Sequence, residues 1–582
     1  MDLLLVLLLG VIAVAVVTAL GERLGVAGPL LLVALGLGVG LLPFVDVPEI
    51  DPELILVGIL PPLLYASAVR LPAIEFRRDL APITGLAVVL VVVTALVLGW
   101  FFSLVIPGVG FPLGVALGAI LSPTDAVATG IAKRLGISPR VTTMLEGESL
   151  LNDATALVLL RTALLAVVAG TFSFGTAVLS FLWAVVIAVV IGALVGVLAL
   201  RLRSWVGSSG ASTAIGFTVP FLAYLPTEHL NGSGLVAAVI AGIVSGQGAQ
   251  RWFTPEQRLS DEVNWRTVEL VLEGGIFLIM GLELDQIVQD VLVRHEGIAL
   301  PTVVALAALG ILLVVRAGYV ALLLWAGRTR ARGTDRARFE EFDARLDEVA
   351  EHGYPPGRAP RGRRRRTEPS PERTERRLTL MRRRVRRALA DIDYYQASPL
   401  GWKHGTIIVW AGMRGVVTLA AAQTIPRSVE DRPILIYIAF LVALVSLMAQ
   451  GLTLPWVVRR LRLSGGDESG DDHAERSRLD AELRAAAAAA LDDPELSRRD
   501  RTGFDPDLIS RMQARYAHPI TEEFALGAKD MLELRIALIE AQRERLRALS
   551  SGGSFSTRSL RHVLAELDAD QLSTELRLRE DD

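Results

Sequence analysis

Long apolar runs fill most of this chain. From residue 1 to about 327, and again from about 403 to 458, runs of 17 or more apolar residues follow one another. A helix of that length crosses the roughly 30 Å of hydrocarbon in a lipid bilayer. We therefore predict an all-α membrane protein with about 13 transmembrane helices, centred near residues 11, 36, 61, 93, 122, 158, 188, 217, 240, 274, 313, 414 and 445.

Basic residues in the connecting loops predict the orientation. The loops on one side hold 12 Lys and Arg residues, whereas the alternate loops hold only 3. Cytoplasmic loops carry the excess of positive charge in membrane proteins, so the first set is predicted to be cytoplasmic. With an odd number of helices, the N-terminus is then outside and the C-terminus is cytoplasmic.

Composition divides the chain into four parts. Helices 1–11 occupy residues 1–327, an Arg-rich insertion follows at 328–402, helices 12–13 occupy 403–458, and a charged tail runs from 459 to 582. The insertion holds 20 Arg against 12 Asp and Glu. Because it connects two spans, we expect it to lie near anionic lipid headgroups and we expect no nucleic-acid partner.

The tail is predicted to be helical and cytoplasmic. Residues 474–493 and 521–550 are rich in Ala, Leu, Glu and Arg, which favour helices. A regulatory or dimerising tail and a solvated helical appendage both fit this composition.

Charged residues within the apolar runs are few. Such residues are costly at bilayer depth and persist mostly where they pair or line a path. They are Asp125, Glu148, Asp153, Glu269, Glu273, Arg316 and Arg414.

The segment "GESLLNDATALVLL" at 147–160 carries the densest of these polar groups. On a helix, Glu148 and Asn152 lie one turn apart, as do Ser149 and Asp153, so the two pairs share one face. Asp153 has a neutral amide beside it and is therefore the best candidate for a single titratable acid. Its carboxylate, with hydroxyl and carbonyl oxygens, suits a small cation. The same oxygens hold either a proton or a cation, which is the physical basis of exchange.

Two spans are predicted to be interrupted. Pro123 in "LSPTDAVATG" removes a helix hydrogen-bond donor, and two glycines flank Arg414 in "WAGMRGVV". These are spans five and twelve, which run in opposite directions, and such paired interruptions indicate an inverted repeat with a binding site between them.

The sequence allows more than one role for Arg414 and for Asp125 in the apolar runs. Arg414 is expected either to neutralise helix ends or to pair with Asp125, and Arg316 is expected to pair with Glu148. For Asp125, a purely structural pairing and a role in ion binding are equally open.

Other classes of function have less support. No Gly-x-x-x-x-Gly-Lys-Ser/Thr run that would cradle ATP is present, and no cysteine is available for thiol catalysis. We expect neither an enzyme nor a cofactor. A monovalent cation channel remains an alternative, although nothing in the sequence resembles a carbonyl-lined filter.

Several of these motifs resemble those of a known family. The sequence resembles the monovalent cation:proton antiporters, in the branch of the bacterial sodium/proton exchangers. The matching segments follow one another in order through the membrane part: "LPPLLYASAV" (60–69), "SPTDAVA" (122–128), "GESLLNDATALVL" (147–159), "PFLAYLPTEHLNGSGLVAAVIAGIVSG" (220–246), "LEGGIFLIMGLEL" (272–284) and "GMRGVVTLA" (412–420).

The resemblance implies a fold and a reaction. It implies the sodium/proton antiporter fold, with a transport core, a dimerisation domain and two unwound helices that cross, in a homodimer of the bacterial plasma membrane. It also implies exchange of Na⁺ for H⁺ by alternating access, with K⁺ or Li⁺ as alternative cations. The Asn-Asp pair is associated with electroneutral exchange.

The resemblance also implies roles for individual residues. Asp153 resembles the carrier of the cation and the proton, with Asn152 beside it, and Thr124 and Ser149 resemble the other oxygen ligands of the cation. Asp125 and Glu148 resemble the partners of the two arginines, Arg414 and Arg316.

Three positions depart from the family pattern. Ala66 follows Tyr65 where an acid often follows the aromatic residue, Ala126 replaces a proline, and Glu273 stands where related sequences often carry Asn or another polar residue. These differences bear on cation choice and affinity more than on the type of reaction.

Overall fold

The described part of the chain is built from α-helices. The computed structural model describes residues 2–24, 26–42, 53–125, 127–169, 174–294, 297–333, 399–427, 429 and 431–463, together with 381, 391–392, 394–395 and scattered stretches between 485 and 578. The chain separates into two compact units, Met1–Gly466 and Asp467–Asp582.

The first unit contains helices α1 to α18. The first nine are α1 Asp2–Leu24, α2 Gly28–Gly40, α3 Leu60–Val69, α4 Ala73–Arg78, α5 Leu80–Thr84, α6 Val91–Val105, α7 Phe111–Leu121, α8 Val127–Arg134 and α9 Pro139–Ala169. The others are α10 Phe174–Val206, α11 Ser209–His229, α12 Gly234–Trp252, α13 Pro255–Leu282, α14 Leu284–Arg294, α15 Ala299–Gly333, α16 Trp402–Trp410, α17 Val416–Gln423 and α18 Arg432–Leu461.

Each predicted span centre falls in one of these helices or at a break between two of them. In the described ranges, 5 helical stretches are long and apolar enough to cross a membrane. They are Leu80–Val105, Pro139–Val167, Val178–Val206, Ala299–Thr329 and Arg432–Leu461. Shorter apolar helices, such as α2 and α7, occupy other predicted spans, and the total of about 13 crossings stays a prediction.

Two helices contain π-helical segments that the sequence did not predict. One, Leu54–Ile59, runs directly into α3, and the other, Gly85–Leu90, joins α5 to α6. The second segment packs against α9, which is the helix that carries the polar face.

The two predicted interruptions are present. Residues 122–125 lie outside the helices, between the end of α7 and the start of α8, and residues 411–415 separate α16 from α17 in the same way. Pro123 lacks the backbone donor that a continuous helix would use. At the second break, glycines at 412 and 415 weaken the helix.

The helices of the first unit pack into two groups. Helices α10, α11 and α12 pack together with α3, whereas α7 packs against α6 and α9, and α15 packs against α16 and α18. Helix α13 contacts α1, α2, α3, α11 and α17. Close approach of α6 and α7 depends on glycine: a Cβ at Gly118 would lie 2.6 Å from the carbonyl oxygen of Ala95, as is usual where small residues let membrane helices meet.

The end of the Arg-rich insertion contacts the start of α9. Arg140, in the first turn of α9, pairs with the fully buried Asp79 at 3.1 Å. The hydroxyl of Tyr394 donates to Asp79 at 3.0 Å, and that of Tyr395 donates to the carbonyl of Arg78 at 2.5 Å. The "RGRRRR" run at 361–366 and most of 381–390 lie outside the described residues.

The second unit has one longer described helix, α19 Pro506–Ala517. Residues 485–491, within the predicted helix 474–493, are also helical, and Gln513 donates to Asp492 at 2.8 Å. Most of the predicted helix 521–550 lies outside the described residues.

Candidate functional site

The two interrupted helices meet at their breaks. The backbone N–H of Asp125 donates to the carbonyl of Met413 at 2.8 Å. The Asp125 carboxylate also accepts the N–H of Val127, the first residue of α8, at 3.1 Å. A carboxylate at a helix N-terminus receives donors that have no partner within the helix. The non-helical segments of the two breaks therefore contact each other directly.

Arg414 bonds to carbonyl groups at these helix ends. Its Nε donates to the carbonyl of Leu121, the last residue of α7, at 2.8 Å, and its Nη1 donates to the carbonyl of Gly412. The last carbonyls of a helix lack intrahelical partners and carry partial negative charge. The geometry thus matches the first expected role of Arg414, neutralisation of helix ends, whereas a pairing with Asp125 stays a prediction.

Arg316 and Glu148 form a buried ion pair. Arg316 Nη2 lies 2.8 Å from Glu148 Oε2, Nη1 bonds to Oε1, and each side chain is 2% exposed. Nε and Nη2 of Arg316 also donate to the carbonyl of Ile408, near the end of α16, at 3.0 and 2.8 Å. The structure therefore has the pair that the sequence predicted, and this pair ties α9 to α15 and to the second interrupted helix.

Asn152 joins α9 to the first break. Its Nδ2 donates to Thr124 Oγ1 at 2.6 Å, and both residues are buried. A threonine hydroxyl has one donor and two acceptor positions, so Thr124 keeps an acceptor position and its own proton for a further partner.

Asp153 is a buried acid with a carboxylate oxygen that is unsatisfied within the described part of the chain. It is 4% exposed, and its Oδ1 has no hydrogen-bond partner among the described residues. An unsatisfied buried polar atom costs free energy of about 1–3 kcal/mol. A proton on this carboxyl group, or a cation bound to it, would remove that cost.

A cavity of about 550 Å³ reaches Asp153. Thr124, Asp125 and Ser149 line it with Asp153, while Asn152 joins this group through its bond to Thr124. The structure therefore brings together all five residues predicted to bind the ion or the proton.

Exposed basic residues also line the cavity. They are Arg70, Lys133, Arg134 and Arg266, and all four belong to the loops that the positive-inside rule assigns to the cytoplasm. Lys133 is paired with Glu146.

Two acids have positions that the sequence did not assign. Glu273 lines the cavity, and the buried carboxylate of Glu283 accepts from Gln423 at 2.6 Å. In the sequence, Glu273 stood out as a charge within an apolar run and as a departure from the family pattern, but no role followed from either. Glu283 follows the last residue of α13, where a charge in sequence is indistinguishable from one at the membrane surface.

Sequence comparison connects this site with known transporters. The family model for "Sodium/hydrogen exchanger, transmembrane" matches residues 10–339 and 380–460. An uncharacterized Na⁺/H⁺ exchanger of Mycobacterium bovis is 28% identical over 583 residues, which cover 97% of this chain and 94% of that protein. A sodium, potassium, lithium and rubidium/H⁺ antiporter of Bacillus pumilus is 30% identical over 312 residues, 52% of this chain and 46% of that one.

A solved structure has the same fold. The sodium proton antiporter MjNhaP1 of Methanocaldococcus jannaschii superposes with a TM-score of 0.54 at 18% sequence identity, over 79% of this chain and 99% of that one. The predicted antiporter fold is confirmed at this level, and the resemblance seen in the sequence is confirmed by the family match. Because the matched segments make up most of the chain, this protein belongs to the sodium/hydrogen exchanger family and is a multi-pass membrane transporter, not an enzyme.

Proposed function

We propose that this protein exchanges Na⁺ for H⁺ across the bacterial plasma membrane by alternating access, with Asp153 as the carrier of both ions. The observation that carries the proposal is the Asp153 carboxylate. It is buried at the crossing of two interrupted helices, it lines a cavity, and its Oδ1 has no hydrogen-bond partner among the described residues.

The neighbouring oxygen atoms complete a cation site. Thr124 and Ser149 line the same cavity as Asp153, and oxygen donors of this kind suit a hard monovalent cation. Asn152 holds the Thr124 hydroxyl in place through its 2.6 Å bond. A proton on Asp153 removes the charge that attracts the cation, so the two ions compete for one group.

This competition gives an electroneutral cycle. One carboxyl group that gives up one proton for each monovalent cation moves no net charge in a complete exchange. With the N-terminus outside, the cavity lined by Arg70, Lys133 and Arg134 opens to the cytoplasm. The second state of the cycle would then open Asp153 to the other side.

The choice of cation rests on the names of relatives. The Mycobacterium relative is named for Na⁺, whereas the Bacillus relative is named for sodium, potassium, lithium and rubidium. We propose Na⁺ as the principal cation, so K⁺ and Li⁺ belong in the same assay.

Exchange by purified protein in proteoliposomes tests the proposal. With a pH-sensitive dye inside and the membrane voltage dissipated, addition of Na⁺ to acid-loaded vesicles should raise the internal pH. Asp153→Asn preserves shape and removes the titratable charge, so exchange should fall to the level of protein-free vesicles.

Asp290→Asn provides the matched control. Asp290 is exposed on α14 and does not line the cavity, so this variant should exchange at the wild-type rate. Retention of Na⁺-dependent pH change by Asp153→Asn would show that another group carries the ions.

A further inference from the structure

A second acid in the cavity, Glu273, is unpaired among the described residues. Glu269 and Glu273 lie one turn apart on α13, and both line the cavity that leads to Asp153. Glu269 is paired with Arg70 and accepts a hydrogen bond from Ser67 at 3.2 Å. Glu273, by contrast, forms no hydrogen bond or ion pair with the described residues.

The acids of the cavity differ in exposure. Arg70 and Glu269 are 36% and 21% exposed, Glu273 is half-buried, and Asp153 is 4% exposed. Glu273, one turn from Glu269 on α13, therefore lies in the same cavity as the exposed pair and the buried Asp153.

The acids of the cavity differ in whether a cation is paired with them. Arg70 and Lys133 neutralise Glu269 and Glu146. Glu273 has no ion-pair partner in the described structure, and Arg70 and Arg134 act on it only at longer range. Charged groups in a cleft with low-dielectric walls change the local concentration of the opposite ion by roughly tenfold or more, so an unpaired carboxylate in this cavity favours an entering cation.

Adjacent acids alone do not identify a binding site. Here a separate observation points to a ligand in the same cavity, since Asp153 is 4% exposed and its Oδ1 has no hydrogen-bond partner among the described residues. The same cavity is thus lined by Asp153, whose Oδ1 has no partner among the described residues, and by Glu273, an acid that attracts a cation.

We propose that Glu273 is a second cation-binding residue, which holds the monovalent cation in the cavity that reaches Asp153 and sets the apparent affinity of the exchanger. The proposal rests on the exchange proposed above and adds a residue to its path.

The Na⁺ dependence of exchange tests this role. Glu273→Gln should raise the Na⁺ concentration for half-maximal exchange about tenfold, the lower end of the expected concentrating effect, while the maximal rate stays within about twofold of the wild-type rate. Glu273→Asp keeps the charge and should keep half-saturation within about threefold. Glu262→Gln removes an exposed charge from the same helix, outside the cavity lining, and should leave both quantities unchanged.

A second experiment measures Na⁺ binding to the purified protein in the absence of transport. A ligand that binds only the folded protein stabilises it by an amount that depends on the ratio of ligand concentration to Kd, so a Na⁺ titration of the melting temperature in detergent reports affinity. Glu273→Gln should need about ten times more Na⁺ for the same stabilisation.

The outcomes separate the two proposals. Wild-type protein that binds Na⁺ but does not exchange it contradicts the proposed exchange, and the binding titration still decides the role of Glu273. An unchanged Na⁺ dependence in Glu273→Gln, or a lower maximal rate at unchanged half-saturation, overturns the role of Glu273 alone. If Glu273→Gln fails to fold, Glu273→Asp decides the question, because it keeps the charge. A tenfold loss of Na⁺ affinity in folded Glu273→Asp would overturn the role of Glu273.

Discussion

Arg316 and Arg414 perform similar tasks on the two interrupted helices. Arg316 donates to the carbonyl of Ile408 in α16, and Arg414 donates to the carbonyl of Leu121 in α7. In each case a buried guanidinium group meets the carbonyl end of the helix that precedes a break. The opposite charges of the guanidinium and the helix end favour this contact, and its occurrence at both breaks is what the predicted inverted repeat would produce.

The Arg316–Glu148 pair gives a prediction for stability. Arg316→Met leaves the buried Glu148 carboxylate without its cation, and loss of one partner of a buried pair costs about 3–5 kcal/mol. We expect a strongly lowered midpoint of thermal unfolding in detergent. Adding Glu148→Gln should recover part of the loss, because no unpaired buried charge remains.

Arg328→Met is the control for this series, since Arg328 is exposed on the same helix, α15. Its melting midpoint should match that of the wild type. A double variant that loses the sum of the two single losses would show that the pair is not coupled.

A pair of charged side chains could be predicted from the sequence more readily than a contact between a side chain and the backbone. Glu148 and Arg316 could be matched because few charges share the apolar spans. The carbonyl partners of Arg414 could not be foreseen, because every residue has a carbonyl and only the folded breaks show which ones point inward. The bond between Glu283 and Gln423 also depends on folding, since it joins residues 140 positions apart.

At the scale of elements, the crossing of the two breaks depends on close packing at Gly415. A Cβ at this position would overlap the Asp125 carboxylate. Gly415→Ala should therefore push the two breaks apart, with an overpacking cost of about 1–3 kcal/mol and a loss of most exchange activity in proteoliposomes.

Gly310→Ala gives the contrasting result. A Cβ at Gly310, within α15, meets nothing within 4 Å, and replacing glycine by alanine inside a helix stabilises it by roughly 0.5–1 kcal/mol. This variant should melt at or above the wild-type temperature and exchange normally. Normal exchange by Gly415→Ala would contradict the tight crossing described above.

The end of the insertion also contacts α9, since the Arg140 guanidinium lies 4.7 Å from the centroid of the Tyr395 ring. Burial, together with the nearby Asp79 carboxylate, raises the pKa of Tyr394 above its ordinary value. Its hydroxyl therefore stays protonated at neutral pH and continues to donate to Asp79. The contact fastens the end of the insertion to the helix that carries Asp153.

Helices could be located from hydropathy, whereas their internal irregularities could not. The apolar runs placed the predicted centres within helices, and Pro123 marked the first break. The π-helical segments at Leu54–Ile59 and Gly85–Leu90 have no equally plain signal, because they differ from α-helix in hydrogen bonding and not in apolar content.

At the scale of the whole molecule, the cavity has a direction. Its lining includes the exposed Arg70, Lys133 and Arg134 as well as Asp153, which is 4% exposed. If the basic loops are cytoplasmic, as the positive-inside rule predicts, this conformation opens Asp153 toward the cytoplasm. The orientation, the homodimer and the role of the tail stay predictions, because each depends on a membrane or a partner.

The central claim is that Asp153 holds either a proton or a cation, never both. Calorimetric titration of the purified protein with Na⁺, in buffers of different ionisation enthalpy and over a pH series, counts the protons released per Na⁺ bound. Release should rise toward about one proton per Na⁺ as the pH falls, since a bound cation requires the deprotonated group, and Asp153→Asn should abolish this release. Wild-type protein that binds Na⁺ without releasing protons at any pH would contradict it.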